Sequence, residues 1–287
     1  MLLFHYPFMI PALVISLVLA GSHTYLGYHV VQRGVIFVDL ALAQIAALGT
    51  GVAIVLGWGE DAPTQTYLMS LGFTLAGAVL FSFFRKTQSK VPIEALIGIT
   101  YAAAIAMTLL ILEKAATGTE HVKEMLVGTI LTVSWKDVIQ TSVLYAIVGI
   151  IHWVTRHRLF LITNSPTKAS SAGVRIWWWD FLFYMTFGIV VTSAVRIAGV
   201  LLVFSLLTMP TVAAVFCVSK TVQRIVFGWV FGIAACVLGL EASLRLDLAA
   251  GPSIIGVLLV LLLACGGFAF IKGLRTHSEA KTGLGVY

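Results

Sequence analysis

The sequence predicts an all-α integral membrane protein, a polytopic helical bundle with about eight or nine transmembrane helices. Hydrophobic residues make up 60% of the 287 residues and charged residues only 10%, against about 25% charged in an ordinary soluble domain. Mean hydropathy is +1.02. Apolar runs near or above about 18 residues, each able to cross a roughly 30 Å hydrocarbon layer, recur from the first residues almost to the last. The runs are unbroken and lack the alternation of β-barrel strands. A backbone that must satisfy itself in lipid therefore takes them as helices.

The expected segments are 8–31, 34–57, 65–84, 92–112, 137–155, 177–195, 197–218, 224–244 and 253–271. The first has no small-residue cleavage pattern after it and is followed by more membrane segments, so it is read as a retained helix, not a signal peptide. Gly34 after Arg33, GWGEDAP at 57–63, KTQSKVP at 86–92 and DLAAGP at 247–252 punctuate the breaks. Pro92 and Pro252 suit first helical turns. Pro210 cannot donate to the carbonyl of Leu206, so a kink or break is expected there. With no long linker or low-complexity tract, residues 1–287 read as a single transmembrane domain.

The net charge of +6 sits in short loops, a sign of topology and not of nucleic-acid binding. The loops with Arg85, Lys86 and Lys90, with Arg156, Arg158, Lys168 and Arg175, with Lys220 and Arg224, and the tail with Lys272, Arg275 and Lys281 are expected to face the cytoplasm. The connections holding Glu60 and Asp61, Glu113 to Asp137, and Asp247 beside Arg245 are expected to face outward. Cys217, Cys236 and Cys265 fall in apolar runs and read as small buried hydrophobes. No GxxxxGK[ST], HExxH or GxSxG occurs, so the sequence offers no catalytic residues, and any ATP belongs to another chain.

Ionisable and polar residues within apolar runs are costly in lipid and are the natural functional candidates. His29 and Asp39 lie five residues to either side of Gly34. In a hairpin turning there, both reach about 7.5 Å from the turn and could hold a divalent transition metal. The alternative pairs Asp39 with Arg33 and gives His29 a backbone carbonyl. Gln44 and His23 lie deeper, as metal contacts or as interhelical hydrogen bonds. Glu94, just after Pro92, reads as a helix-start cap. Glu120, His121 and Glu124 form a polar outer cluster that catches a cation or is simply solvated. In the segment beginning at Arg196, Gly199, Ser205, Thr208 and Thr211 let a bent helix approach a neighbour or line a path.

Four stretches then carry a resemblance: YLGYHVVQRGVIFVDLALAQIAALG at 25–49; EALIGITYAAAIAMTLLIL from Glu94; LVGTILTVSWKDV from Leu126; and RLFLITNSPTKASSAGV at 158–174 joined to RIAGVLLVFSLLTMPTVAA at 196–214, with LDLAAGPSIIG at 246–256 following. Together they resemble the permease subunits of bacterial ABC importers for zinc, manganese and iron. The resemblance implies a multi-pass protein of the bacterial plasma membrane that forms a homodimer, each copy seated on a cytoplasmic ABC ATPase subunit and supplied by an extracytoplasmic metal-binding protein. It implies no resident cofactor, and a zinc, manganese or iron ion as cargo. The loop at about 156–176 would contain the coupling element, with Ser165, Pro166, Thr167, Lys168 and Gly173 at the ATPase. Thr208, Met209 and Pro210 would lie on the translocation path or gate.

The family places an acidic residue and a His four apart at the start of the second helix. Here Leu40 and Gln44 occupy those places in one alignment, and Asp39 with Ala43 in the other. The expected metal-handling set is therefore Asp39, His29, Gln44 and His23, with histidines of the first helix replacing the missing imidazole. Two other readings stand beside it: a permease for a metal chelate of the siderophore or cobalamin type, and a membrane metalloenzyme.

Overall fold

The computed structural model describes residues 5–59, 61–86, 91–113, 128 and 130–282. The helices are α1 (Met9–Gln32), α2 (Val38–Val55), α3 (Pro63–Lys86), α4 (Ile93–Leu112), α5 (Trp135–Asn164), α6 (Pro166–Ser171), α7 (Ile176–Cys217), α8 (Thr221–Leu246) and α9 (Ala250–Thr282), with a 3-10 turn at Ile130–Thr132 before α5. No strand occurs among the described residues. Eight of these helices are long and apolar enough to cross a membrane; α6 is the exception.

Local chemistry sets several boundaries. Ser134 and Asp137 form a reciprocal capping box that starts α5. Asp247, in the left-handed conformation, ends α8. The α1–α2 turn passes through Gly34 at φ 66°. Glu94 does not cap its own helix. Its carboxylate accepts the backbone N–H of Ile36 at 2.6 Å and so ties the start of α4 to that turn.

Where the sequence predicts two segments at 177–195 and 197–218, the structure has one 42-residue element, α7. It is not straight. Arg33 meets Asp180, and Gly27, six residues back along α1, meets the carbonyl of Leu207. Those six residues of α1 span about 9 Å, whereas a straight helix from 180 to 207 would span about 40 Å. The chain therefore folds back on itself, and the reversal lies at Gly199, the residue of non-helical φ 75°, ψ 159°. Counting the limbs 176–198 and 200–217 separately restores the expected segments.

This corrects the expectation of a break at Pro210, which lies within helical backbone. Leaving one carbonyl without its donor only weakens a packed helix, whereas the dihedrals of a reversal are open to glycine and almost nothing else. Gly128 packs directly on the backbone of Ala198 and Gly199.

α1 stands at the centre, packed on α5, α7 and α8, while α2 packs on α3, α4 and α7, and α9 on α7 and α8. The apolar windows of α2 and α7 are 72% and 61% buried, those of α4 and α9 only 22% and 11%. α4 and α9 thus form the outer faces. Cys236 is buried as expected, but Cys217 is exposed at the end of α7 and Cys265 is half-buried, within hydrogen-bonding reach of Cys217.

At Gly27 a Cβ would overlap the Leu207 carbonyl and lie 2.8 Å from Thr211 Oγ1, whereas at Gly21 it would meet nothing within 4 Å. Gly27→Ala and Gly199→Ala should each cost about 1–3 kcal/mol, while Gly21→Ala should be neutral or stabilising by up to about 1 kcal/mol. Thermal unfolding of the detergent-solubilised protein checks this. Equal midpoints for Gly27→Ala and Gly21→Ala would contradict the close crossing.

Candidate functional site

α1 brings Tyr25, Tyr28 and His29 into the bundle with Arg33 at its C-cap, α5 brings Tyr145, His152 and Thr163 with the exposed Asn164 at its end, and α7 brings Asp180 and Thr186. Away from water each polar group needs a partner. The Arg33 guanidinium lies 2.8 Å from an Asp180 carboxylate oxygen, with side chains 0% and 1% exposed. Its Nε donates to Thr163 Oγ1 at 3.0 Å, and its plane sits 4.2 Å over the Phe183 ring. Ion pair, hydrogen bond and cation–π contact together compensate a desolvated charge.

His29 Nδ1 shares the same Thr163 hydroxyl at 2.7 Å. Thr186 donates its hydroxyl hydrogen to the backbone of Leu182 or Phe183, so at 2.8 Å it accepts from His152 Nε2. The Tyr25 ring lies between the two imidazoles, 5.0 Å from His29 and 5.6 Å from His152. Tyr28 donates to Asn164 at 2.6 Å and bonds Thr221 at 3.0 Å, joining α5 and α8 through α1. The result is a buried polar spine along α1, ending where α5 passes into α6.

The predicted residues fall in different places. His23 and His29 lie on the spine, both fully buried. His23 donates Nδ1–H to the Leu19 carbonyl at 2.9 Å, and Nε2 of each has no hydrogen-bond partner. Asp39 lies in the first turn of α2, 1% exposed, its carboxylate accepting the Leu40 N–H at 2.8 Å. Among the described residues no cation pairs with it. The alternative pairing with Arg33 is corrected, because Asp180 holds that arginine, and the backbone carbonyl suggested for His29 is replaced by Thr163. Gln44 is buried one turn deeper in α2. Among the described residues no three or more His, Cys, Asp or Glu side chains gather where they could hold a metal ion. Glu120, His121 and Glu124 lie outside the described residues.

Thr208, Met209 and Pro210 lie in the second limb of α7. Thr208 is buried and bonds the Phe204 carbonyl at 2.8 Å, and Pro210 packs where α7 crosses α8 at Gly228 and Gly232. The residues expected to couple form α6 and its flanks. Ser165 joins α5 to α6, Pro166 is the first residue of α6, and Gly173 follows at φ 71°. Ala169 is buried beside Ile162 and Val174, while Pro166, Thr167 and Lys168 are exposed. α6 is thus a short helix fixed from below with a free polar face.

Sequence reasoning missed His152 and Asp180. Both stand inside apolar runs, in IIHWV and WWWDFLF, where the cost of burial already marks an ionisable group.

Thr163 serves both His29 and Arg33, so Thr163→Val should cost about 1–3 kcal/mol by leaving buried polar groups without their partner, and more than Thr155→Val, whose hydroxyl bonds only its own helix. Thermal unfolding of the two variants measures it.

Residues 5–269 match the family described as the ABC 3 transport family. The chain is 23% identical over 276 residues to a probable iron transport system membrane protein of Haemophilus influenzae, covering 96% of this chain and 95% of that one. It is 23% identical over 256 residues to a manganese transport system membrane protein of Synechocystis sp., covering 89% and 81%. Among solved structures, PsaBC from Streptococcus pneumoniae in complex with Fab superposes with a TM-score of 0.76 at 22% identity, covering 92% of each chain.

Proposed function

Because the chain belongs to the ABC 3 transport family, we propose that it is the membrane-spanning permease subunit of an ATP-driven importer for a divalent transition metal ion, zinc, manganese or iron. The observation that carries the reading is the family match over residues 5–269. Relatives named for iron and manganese transport support the choice of cargo. The fold agrees with the assignment of chemistry elsewhere: the chain carries no phosphate-binding loop and offers α6, a short exposed helix between two spans.

In this reading α6, through Ser165, Pro166, Thr167, Lys168 and Gly173, meets a cytoplasmic ABC ATPase, and an extracytoplasmic metal-binding protein delivers the ion. A second permease copy completes a homodimer in a bacterial plasma membrane, and the little-buried faces of α4 and α9 supply apolar area for it. Closure of the ATPases on ATP rearranges the bundle by alternating access. This chain's own residues bind and release; they catalyse nothing. Asp39, a buried carboxylate with no cation beside it among the described residues, attracts the ion, with His29, His23 and Gln44 offering nitrogen and oxygen, a mixed donor set that suits first-row divalent ions. Thr208, Met209 and Pro210 form the path in the second limb of α7.

The test is ATP-dependent uptake of radiolabelled zinc, manganese and iron into vesicles holding this chain with its ATPase and binding protein, with Asp39→Ala in parallel. The expected outcome is uptake of one or two of these metals, lost by about tenfold or more in Asp39→Ala, as for removal of a direct charged contact. No uptake of any free metal by a complex that hydrolyses ATP would contradict the reading.

A further inference from the structure

α5 and α8 make almost no direct contact. They are held apart over α1, and between them lies a groove of about 430 Å³. Its floor is Gly21, Ser22, Tyr25 and Leu26 of α1, and its walls are apolar faces of α5 and α8, with no Asp or Glu among the lining residues. The rim is exposed: Trp153 is 68%, Val222 72% and Trp229 40% accessible. At one end, Tyr28 closes the gap by bonding both Asn164 and Thr221.

A cation stands at the mouth. Arg156 lines the groove, stacks 4.3 Å over the Trp153 ring and donates to the Trp153 carbonyl at 2.8 Å, but pairs with no carboxylate among the described residues. It is the first residue after the apolar segment 137–155 and is followed by His157 and Arg158, both exposed. A tryptophan beside arginines at the end of an apolar run marks the headgroup level. From Arg156 to Tyr145, which lines the inner end of the groove, the helical rise is about 16 Å, close to half of a roughly 30 Å hydrocarbon layer. Between Tyr145 and Arg156 the groove is therefore about one leaflet deep and lined mainly by apolar side chains, with the cation one turn short of Phe160 at the α6 end.

We infer that this groove seats one acyl chain of an anionic phospholipid, drawn from the leaflet at the α5–α6 end, with the lipid phosphate on Arg156. The complementarity is twofold: apolar walls for the chain, and an unpaired guanidinium, whose planar donor fork suits a phosphate, at the depth where that phosphate lies. The proposal stands apart from the transport reading, since lipid retention is measured on this chain alone.

Gly149 lines the groove, and a Cβ there would meet nothing within 4 Å, so a large side chain fills the groove without disturbing its walls. Native mass spectrometry of the detergent-solubilised full chain, titrated with palmitoyl-oleoyl phosphatidylglycerol and with the matching phosphatidylcholine, reads the occupancy. Wild type should retain one phosphatidylglycerol per chain in preference to phosphatidylcholine. Arg156→Gln should lower that preference about fivefold. Gly149→Leu should weaken retention of both lipids by about tenfold or more, and Gly149→Ala should leave retention intact. The inference is overturned if Arg156→Gln and Gly149→Leu bind lipid as wild type does, or if Gly149→Leu turns dimers into monomers with lipid retention unchanged, which would give the groove to a second copy.

Discussion

The arrangement depends on a charge held where water cannot reach it. Arg33 ends α1 with its side chain fully buried, and it is tolerated there because Asp180, Thr163 and the Phe183 ring surround it. Losing Asp180 would leave a desolvated guanidinium without its counter-charge, at a cost that exceeds that of most single contacts. α5 and α7 are thereby held at fixed depth against α1, since Thr163 and Asp180 must both reach the same group. At the next level up, the close approach at Gly27 brings the second limb of α7 onto the same helix. α1 is thus a central post, fastened by polar links at one end and by backbone proximity in the middle.

The fastened end is also the end that carries α6. Thr163 and Asn164 are the last residues of α5, Pro166 begins α6, and Asp180 lies in the first turns of α7. On the transport reading, a displacement of α6 by a partner cannot be absorbed in slack connections. The bonds of Thr163 to His29 and Arg33, and of Asn164 to Tyr28, would carry it to α1 and α8. If the transport proposal holds, the polar spine that holds the fold would also link α6 to the membrane helices. A hydrogen-bonded and ionic network has few alternative arrangements of similar energy, which suits it to switching between discrete states.

Much of the fold was legible because lipid imposes a simple rule. Apolar runs of spanning length are helices, and many boundaries followed from Gly, Pro or a charge, but α5 runs on through Arg156 and Arg158 to Asn164, past the expected end at 155, and α9 runs past 271 to Thr282. The reversal at Gly199 falls within a few residues of the break expected between 195 and 197. What the sequence misplaced is the further kink or break at Pro210, whose chemistry is conspicuous but whose backbone stays helical. The site was legible only in part. His23, His29, Asp39 and Gln44 could be singled out by polarity, but their partners could not, since Thr163 is 134 residues from His29 and Asp180 is 147 from Arg33. Pairing at that separation is a property of the packed bundle, and the local pairing of Asp39 with Arg33 that the sequence suggested gave way to it. The groove between α5 and α8 had no sequence signal at all, because it consists of contacts not made.

The central claim is that the Arg33–Asp180 pair holds α1 to α7, and a double-mutant cycle read by thermal unfolding in detergent tests it most directly. Arg33→Met and Asp180→Leu should each cost about 3–5 kcal/mol, because each leaves one buried charge without its partner, and the double variant should cost less than either alone. Losses that simply add would mean that the two side chains do not depend on each other, and the account of the bundle built on them would fail.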